Sequence, residues 1–160
     1  MTVDELLTIE EIKQLRQAYS AYFDSQAIDD LAALFCEDAV CEFPAAFGGD
    51  WVGAETIRAN FADIMPALGE PFDSLHVVTN PWITITGSEA AHGRWYLTDW
   101  LTRQKAGSGE MTTLGGHENP LLFLGIYEDQ YRKVGNAWKF ARIRLSLLWP
   151  EREFTGLVHR

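Results

Sequence analysis

Three ionisable side chains lie among apolar residues, a setting in which acid–base chemistry is possible. Asp24 closes an amphipathic stretch, His76 lies in a strand-like apolar run, and Asp99 lies on the apolar side of a second such run. A carboxylate among apolar side chains costs free energy unless it is paired or used. A carboxylate near an imidazole fixes the tautomer of the ring and raises its basicity. These residues therefore predict a water-poor pocket in which protons are transferred.

The alternation of side chains along a strand turns Asp99 toward the inside of the fold. Trp95, Leu97 and Asp99 share one face of their segment, and that face is more apolar than the opposite one. Trp95 and Leu97 are therefore expected to line the pocket, where desolvation would raise the pKa of Asp99. The alternative interpretation pairs Asp99 with Arg142, Arg144 or a tyrosine in a purely structural contact.

Several other candidates have a structural interpretation beside the functional one. A lone histidine in a strand, such as His76, is more often a core or surface residue than a catalytic one. Tyr19 and Tyr22 serve equally well as core aromatics or as hydroxyl groups at the pocket rim, and Tyr127 supplies another phenol. Small-molecule pockets are mostly apolar, and the residues expected to contact a substrate are Tyr22, Trp95, Leu97, Tyr127 and Phe61.

Helical periodicity predicts three helices ahead of the main sheet. Apolar residues recur at helical spacing in residues 9–24, 29–35 and 54–68. Thr8, followed three residues later by Glu11, forms a capping-box pattern and sets the expected start of the first helix. Pro66 is expected to end the third helix early, because the residue before a proline disfavours helix.

Strand and turn signals account for most of the remaining chain. The expected strands cover residues 38–43, 74–79, 81–86, 90–103, 121–133 and 138–149. Asn80-Pro81 marks a break or bulge, and turns are expected at residues 47–50, 87–89 and 135–136. Helices that precede a meander of four long antiparallel strands indicate an α+β fold. The expected architecture is a cone-shaped α+β barrel, with three N-terminal helices packed on a curved, mainly antiparallel sheet.

Size and composition fit a single globular domain over residues 1–160. The formal net charge of −10 argues against a nucleic-acid partner, because phosphate binding requires a basic face. No apolar stretch is long enough to cross a bilayer, and the acidic N-terminus lacks the basic start of a signal peptide. We therefore expect a soluble, cytoplasmic protein. Cys36 and Cys41 suit no zinc framework and are expected to be small buried hydrophobes.

Motifs that bind cofactors are missing from the sequence, which has no phosphate loop, dinucleotide fingerprint or serine elbow. The natural expectation is a reaction that uses neither cofactor nor metal. His117 lies beside Glu118 in the glycine-rich residues 104–120, which are expected to form a mobile connection or lid. One His-Glu pair is weak evidence for a metal site, and the role of this segment stays open.

Three segments resemble a known family. Residues 31–40, LAALFCEDAV, resemble the SnoaL-like group of the nuclear-transport-factor-like superfamily. His76 followed by Asn80-Pro81, and then residues 93–99, GRWYLTD, are most similar to its branch of scytalone dehydratase and bile-acid 7α-dehydratase. The resemblance covers nearly the whole chain and implies an α+β barrel, a cofactor-free site and elimination of water from a ring β to a carbonyl.

The same resemblance implies roles for individual residues. Tyr19 and Asp24 match the helix tyrosine and aspartate of the bile-acid enzyme, and Asp99 matches an acidic pocket position there. His76 falls where scytalone dehydratase has its first active-site histidine. A second histidine of scytalone dehydratase has no counterpart in this chain, which argues against scytalone as the substrate.

The leading hypothesis is a dehydratase for a polycyclic or aromatic-like carbonyl compound, a small hydrophobic ring substrate. His76, oriented by Asp24, would remove the proton α to the carbonyl. Tyr19 would hold the carbonyl oxygen as enolate charge develops, and Asp99 would protonate the leaving hydroxyl. A double-bond isomerase or a polyketide-type cyclase would use the same residues, because each of these reactions begins with removal of a proton next to a carbonyl. An alternative without catalysis is a ligand carrier or a module similar to the small subunit of ring-hydroxylating dioxygenases.

Aromatic residues are also expected on the outer face of the sheet, where they would be exposed to solvent in a monomer. They are Tyr96, Trp100 and Trp149. An exposed aromatic patch is typical of an interaction surface, so we expect a homo-oligomer, either a dimer or a trimer.

Overall fold

The computed structural model describes residues 1–101, 121–150 and 152. The helices there are α1 (Val3–Asp24), α2 (Ile28–Ala33) and α3 (Ala54–Leu68), with one short 3-10 turn at Ala45–Phe47. The strands are β1 (Phe35–Glu42), β2 (Asp50–Val52), β3 (Ser74–Gly87), β4 (Ala90–Leu101), β5 (Leu121–Val134) and β6 (Ala137–Trp149).

The first helix begins six residues before the position that the sequence predicted. Thr2, rather than Thr8, is its N-cap: the Thr2 hydroxyl accepts the backbone N–H of Glu5 at 3.1 Å. The Glu5 carboxylate accepts the Thr2 N–H at 2.7 Å, which completes a capping box. The prediction was wrong because the sequence carries this motif twice. Residues 3–8 lie mostly in solvent, so no buried stripe marks the true start.

The boundary between α2 and β1 also differs from the prediction. The second helix ends at Ala33, and β1 begins at Phe35 instead of residue 38. Phe35 pairs with Phe140 of β6, a partner that lies far along the chain. A short strand at Asp50–Val52 pairs with β1; the sequence had indicated only a turn at residues 47–50 just before it. The third helix spans residues 54–68, as its periodicity predicted. The expectation that Pro66 ends it early is wrong, because Pro66 lies inside the last turn and the helix continues to Leu68.

The six strands form one curved, unclosed sheet in the order β2-β1-β6-β5-β4-β3. The pairing of β1 with β6 is parallel, and the other four pairings are antiparallel. The meander of four long strands from β3 to β6 is confirmed. The expected break at Asn80-Pro81 is confirmed as well, because the register shifts between Thr79 and Trp82 and Asn80 has φ 54°.

The core lies between the helices and the concave face of this sheet. α1 packs against β3, and α3 packs against α2 and β1. The side chains of α1 that point into the core are Ile12, Leu15, Arg16, Tyr19, Ser20 and Phe23. Cys36 and Cys41 are buried free thiols, as predicted. No helix in the described part of the chain has both the length and the apolarity needed to cross a membrane.

Candidate active site

The C-terminal end of α1 meets the start of β3, and this contact forms the candidate site. The Nδ1 atom of His76 lies 2.7 Å from Oδ1 of Asp24. The backbone N–H of His76 donates to both oxygens of the same carboxylate, at 3.1 and 3.0 Å. The N–H of Phe72 donates to the carbonyl of Asp24 at 2.7 Å and ties the helix end to the segment that leads into β3. Four contacts therefore fix Asp24 relative to the imidazole.

Asp99 lies on the other side of the imidazole. It is the direct cross-strand partner of His76 in the β3–β4 pairing, so both side chains leave the same face of the sheet. The Nε2 atom of His76 is 3.7 Å from Oδ2 of Asp99. The hydroxyl of Ser74 lies 3.3 Å from Oδ1 of the same carboxyl group and donates to it. The result is one imidazole between two carboxyl groups.

The three side chains of this site are almost completely buried. The side chains of His76, Asp24 and Asp99 are 4%, 11% and 3% exposed. The ring of Phe23 covers His76, with the ring centroids 4.2 Å apart. Burial raises the pKa of Asp99, against the opposing effects of His76 and of the Ser74 hydroxyl. Such an arrangement suits a base, His76, beside a carboxyl group that stays protonated to higher pH than usual.

The arginines considered as structural partners of Asp99 do not contact it. Arg142 forms an ion pair with Glu42 on the neighbouring strand, and Arg144 lies 3.9 Å from the same carboxylate. The interpretation that paired Asp99 with either arginine is therefore wrong. Asp99 instead contacts His76 and Ser74, and it also accepts a hydrogen bond from the backbone of Trp100.

Tyr19 lies on the same buried stripe of α1 as Phe23. Its ring stacks on Phe23 at 6.2 Å and meets Tyr127 edge to face, also at 6.2 Å. The hydroxyl groups of Tyr19 and Tyr127 interact, and burial raises the pKa of both phenols. Both hydroxyls therefore stay protonated at neutral pH, and the hydrogen bond between them uses one of the two O–H donors.

The five residues predicted to line a pocket are all partly or fully buried. Phe61 of α3 packs on Phe23 and Tyr19, with centroids 5.6 and 6.2 Å apart. Leu97 is buried, and Tyr22 is half-buried against the core. Trp95 is held differently, because its indole N–H donates to the Tyr131 hydroxyl at 2.9 Å. Trp95 therefore belongs to a second polar group, described next.

Sequence reasoning missed the buried polar residues Arg16, Asp129 and Tyr131, and also Ser74. Arg16 Nε lies 3.6 Å from Oδ2 of Asp129, and both side chains are fully buried. The Tyr131 hydroxyl donates to the same oxygen at 2.6 Å. Two signals were present: Arg16 lies one turn before Tyr19 on the apolar stripe, and Asp129 alternates with Tyr127 and Tyr131.

The described residues contain no group of three or more His, Cys, Asp or Glu side chains placed to hold a metal ion. His117 and the predicted lid at residues 104–120 lie outside the described residues.

Comparison with known proteins identifies the family and the fold. A family model for the SnoaL-like domain matches residues 4–144. A solved structure titled "Putative Scytalone Dehydratase", from Novosphingobium aromaticivorans, has a TM-score of 0.74 at 22% identity, over 92% of this chain and 88% of that chain. The hexachlorocyclohexane dehydrochlorinase LinA-type3 of Novosphingobium barchaimii gives 0.71 at 15% identity, over 99% of this chain and 97% of that chain.

A third structure, a protein of unknown function with a cystatin-like fold from Nostoc punctiforme, has a TM-score of 0.70 at 18% identity. The alignment with this structure covers 92% of the present chain and 93% of the Nostoc protein. At such identities the structures establish a common fold, whereas the family match covers most of the sequence and confirms the resemblance found in the residues. The chain belongs to the SnoaL-like domain family.

Proposed function

We propose that this protein is a cofactor-free dehydratase that removes water from a cyclic compound bearing a hydroxyl group β to a carbonyl. The observation that carries the proposal is the Asp24–His76–Asp99 arrangement, with an imidazole 2.7 Å from one carboxylate and 3.7 Å from a second carboxyl group. A base and an acid of this kind are the two groups that elimination of water requires.

The reaction begins at His76. With Nδ1 donating to Asp24, the lone pair of Nε2 is free to accept the proton from the carbon next to the carbonyl. Asp24 stabilises the imidazolium that forms, and the electrons of the broken C–H bond move onto the carbonyl oxygen. The Tyr19 hydroxyl donates to this enolate oxygen, as expected of a group that stabilises developing negative charge.

Asp99 completes the elimination. The enolate expels the β-hydroxyl, which takes the proton of Asp99 and leaves as water, so that a carbon–carbon double bond forms next to the carbonyl. His76 then returns its proton to the Asp99 carboxylate across the 3.7 Å between Nε2 and Oδ2. The net change is the loss of one water, and both residues regain their starting state.

The protonated carboxyl group favours a hydroxyl over a halide as the leaving group. Halide leaves as a stable anion without a proton, whereas hydroxide leaves well only when it is protonated. Burial raises the pKa of Asp99, so this carboxyl group holds its proton to a higher pH than an exposed aspartate would, beside the position that the leaving group would occupy. This feature supports dehydration over the dehydrochlorination named for one structural relative.

The test is turnover of a bicyclic β-hydroxyketone, 3-hydroxy-1-tetralone, followed by mass spectrometry. Loss of one water, with formation of the aromatic naphthol, supports a dehydratase; a rearranged product of unchanged mass indicates an isomerase or cyclase. His76→Ala should abolish turnover. His92→Ala is the matched control, because His92 is exposed on β4 and should leave turnover unchanged. Tight binding of the ketone without turnover would indicate a ligand carrier and would contradict the proposal.

We further propose that the protein is a homo-oligomer with no nucleic-acid partner. The outer face of β3 and β4 exposes Trp82 to 67% and Tyr96 to 45%. A net charge of −10 opposes phosphate binding. Aromatic groups of this size are typical of interfaces, so the exposed face is the surface expected to contact a second copy.

A further inference from the structure

The buried guanidinium of Arg16 lies against the rings of Tyr19 and Tyr127. The guanidinium carbon of Arg16 is 3.5 Å from the ring centroid of Tyr127 and 4.6 Å from that of Tyr19. The ring of Phe140 lies 5.5 Å from the same carbon. Arg16 is fully buried, so water does not screen its charge. The charge therefore acts on the two phenols at short range and through a medium of low polarity.

The guanidinium is only loosely neutralised. Its contact with Asp129 is 3.6 Å long, and none of its three nitrogens has a hydrogen-bond partner in the described structure. Asp129 Oδ2 is instead occupied by the hydroxyl of Tyr131, which in turn accepts the N–H of Trp95. Asp129 is thus held away from Arg16 by a chain of hydrogen bonds that ends on β4. A buried guanidinium without hydrogen bonds is unusual and costs free energy.

Arg16 and Asp129 therefore form a buried dipole with a defined direction. Burial raises the pKa of Tyr127, and the Arg16 charge lowers it more strongly than Asp129 raises it. For Tyr131 the order is reversed, because Asp129 outweighs Arg16. The positive end of the dipole accordingly faces Tyr19 and Tyr127, and the negative end faces Tyr131. The carboxyl group of Asp99 also raises the pKa of Tyr127, which links the dipole to the candidate site.

We propose that Arg16 is a positioning residue whose buried charge strengthens Tyr19 and Tyr127 as donors and makes this phenol pair a binding site for an oxyanion. The inference rests on the proposed function, in which Tyr19 holds the enolate oxygen. It adds the origin of the donor strength: a cation that acts through the rings without touching the substrate. The ligand class is an aromatic or enolic oxyanion.

The experiment measures binding of 4-nitrophenolate, at a pH above the pKa of free 4-nitrophenol, with neutral nitrobenzene as the matched ligand of similar shape. Arg16→Met should weaken phenolate binding by about 30- to 50-fold and leave nitrobenzene binding unchanged, as expected for a charge some 7–8 Å from the anion at an effective dielectric constant of about 20. Asp129→Asn should strengthen phenolate binding by about tenfold, as expected when a carboxylate roughly 12 Å from the anion, the negative end of the dipole, is removed at the same dielectric constant.

The opposite signs separate electrostatics from structural damage, because a disturbed pocket would weaken both ligands in both variants. Equal losses for phenolate and nitrobenzene in Arg16→Met, or weaker phenolate binding in Asp129→Asn, would overturn the inference. If Arg16→Met does not fold, Arg16→Lys keeps the charge and should bind phenolate within about threefold of the parent protein; a larger loss would also overturn it. Phenolate binding requires no turnover, so it succeeds or fails independently of the dehydration assay.

Discussion

Replacing Asp24 with asparagine removes one charge from the candidate site and keeps the shape of the side chain. Asp24 Oδ1 lies 2.7 Å from Nδ1 of His76, and the two side chains are 11% and 4% exposed. At an effective dielectric constant of about 20, opposite charges about 4 Å apart attract each other by about 4 kcal/mol. This attraction exists only while His76 carries the substrate proton. Its loss therefore raises the barrier, and kcat should fall by roughly 10²- to 10³-fold.

The fold should survive the same substitution. The asparagine oxygen can still accept the backbone N–H of His76, which Asp24 accepts at 3.0–3.1 Å. The loss in free energy of unfolding should be about 1 kcal/mol, a decrease in Tm of about 2–4 °C for a chain of this size. The asparagine amide can also donate to Nδ1, which would place the imidazole proton on Nε2, where it blocks the base.

The assay combines kcat on 3-hydroxy-1-tetralone with ¹⁵N NMR of the imidazole, which reports which nitrogen carries the proton. In the parent protein Nδ1 should be the protonated nitrogen. Asp24→Asn should shift the tautomer and lower kcat, whereas the matched exposed change Asp63→Asn on α3 should do neither. If Asp24→Asn keeps kcat within fivefold of the parent, or if its Tm falls by well over 10 °C, then Asp24 is a structural residue and the reasoning is refuted.

Asp99→Asn should lower kcat by about 10²- to 10⁴-fold and abolish the fall in activity at high pH, measured as a pH–rate profile. Because the pKa of Asp99 is raised in the folded state, the native protein binds the extra proton and loses stability as pH rises through that pKa. Asp99→Asn should therefore raise Tm at neutral pH and flatten its dependence on pH; an unchanged slope would count against a buried acid. Tyr96→Glu on the exposed sheet face should shift the mass measured by light scattering to that of a monomer, and the exposed change Glu89→Gln should not.

Local patterns predicted the elements whose signals lie within one segment. The periodicity of residues 54–68 predicted the helix at Ala54–Leu68, because this signal lies within the segment itself; only the expected early end at Pro66 was wrong. The hairpins β3–β4 and β5–β6 were predicted because each turn carries its own glycine and the two strands follow each other directly. The inward direction of Asp99 also followed, since side chains alternate along any strand.

Non-local pairing decided the elements that were misjudged. Phe35 looks like the end of a helical stripe, and only its pairing with Phe140 on the parallel partner strand makes it part of a strand. The three residues of β2 are too few to show an alternating pattern, and they form a strand because they pair with β1. Arg16 would ordinarily be expected in solvent. Its burial depends on Tyr127 and Asp129, which β5 brings to the same place.

By itself the sequence determined the residue types of the site, the α+β class and the position at which α1 ends with Asp24. These properties follow from short-range periodicity and from the chemistry of each side chain. Only the tertiary structure decided that Asp24 and His76, 52 residues apart, share a hydrogen bond, and that Asp99 lies on the far side of the ring. The physical reason is packing: the buried stripe of α1 is held against β3, and this places the helix end on the strand that carries the imidazole.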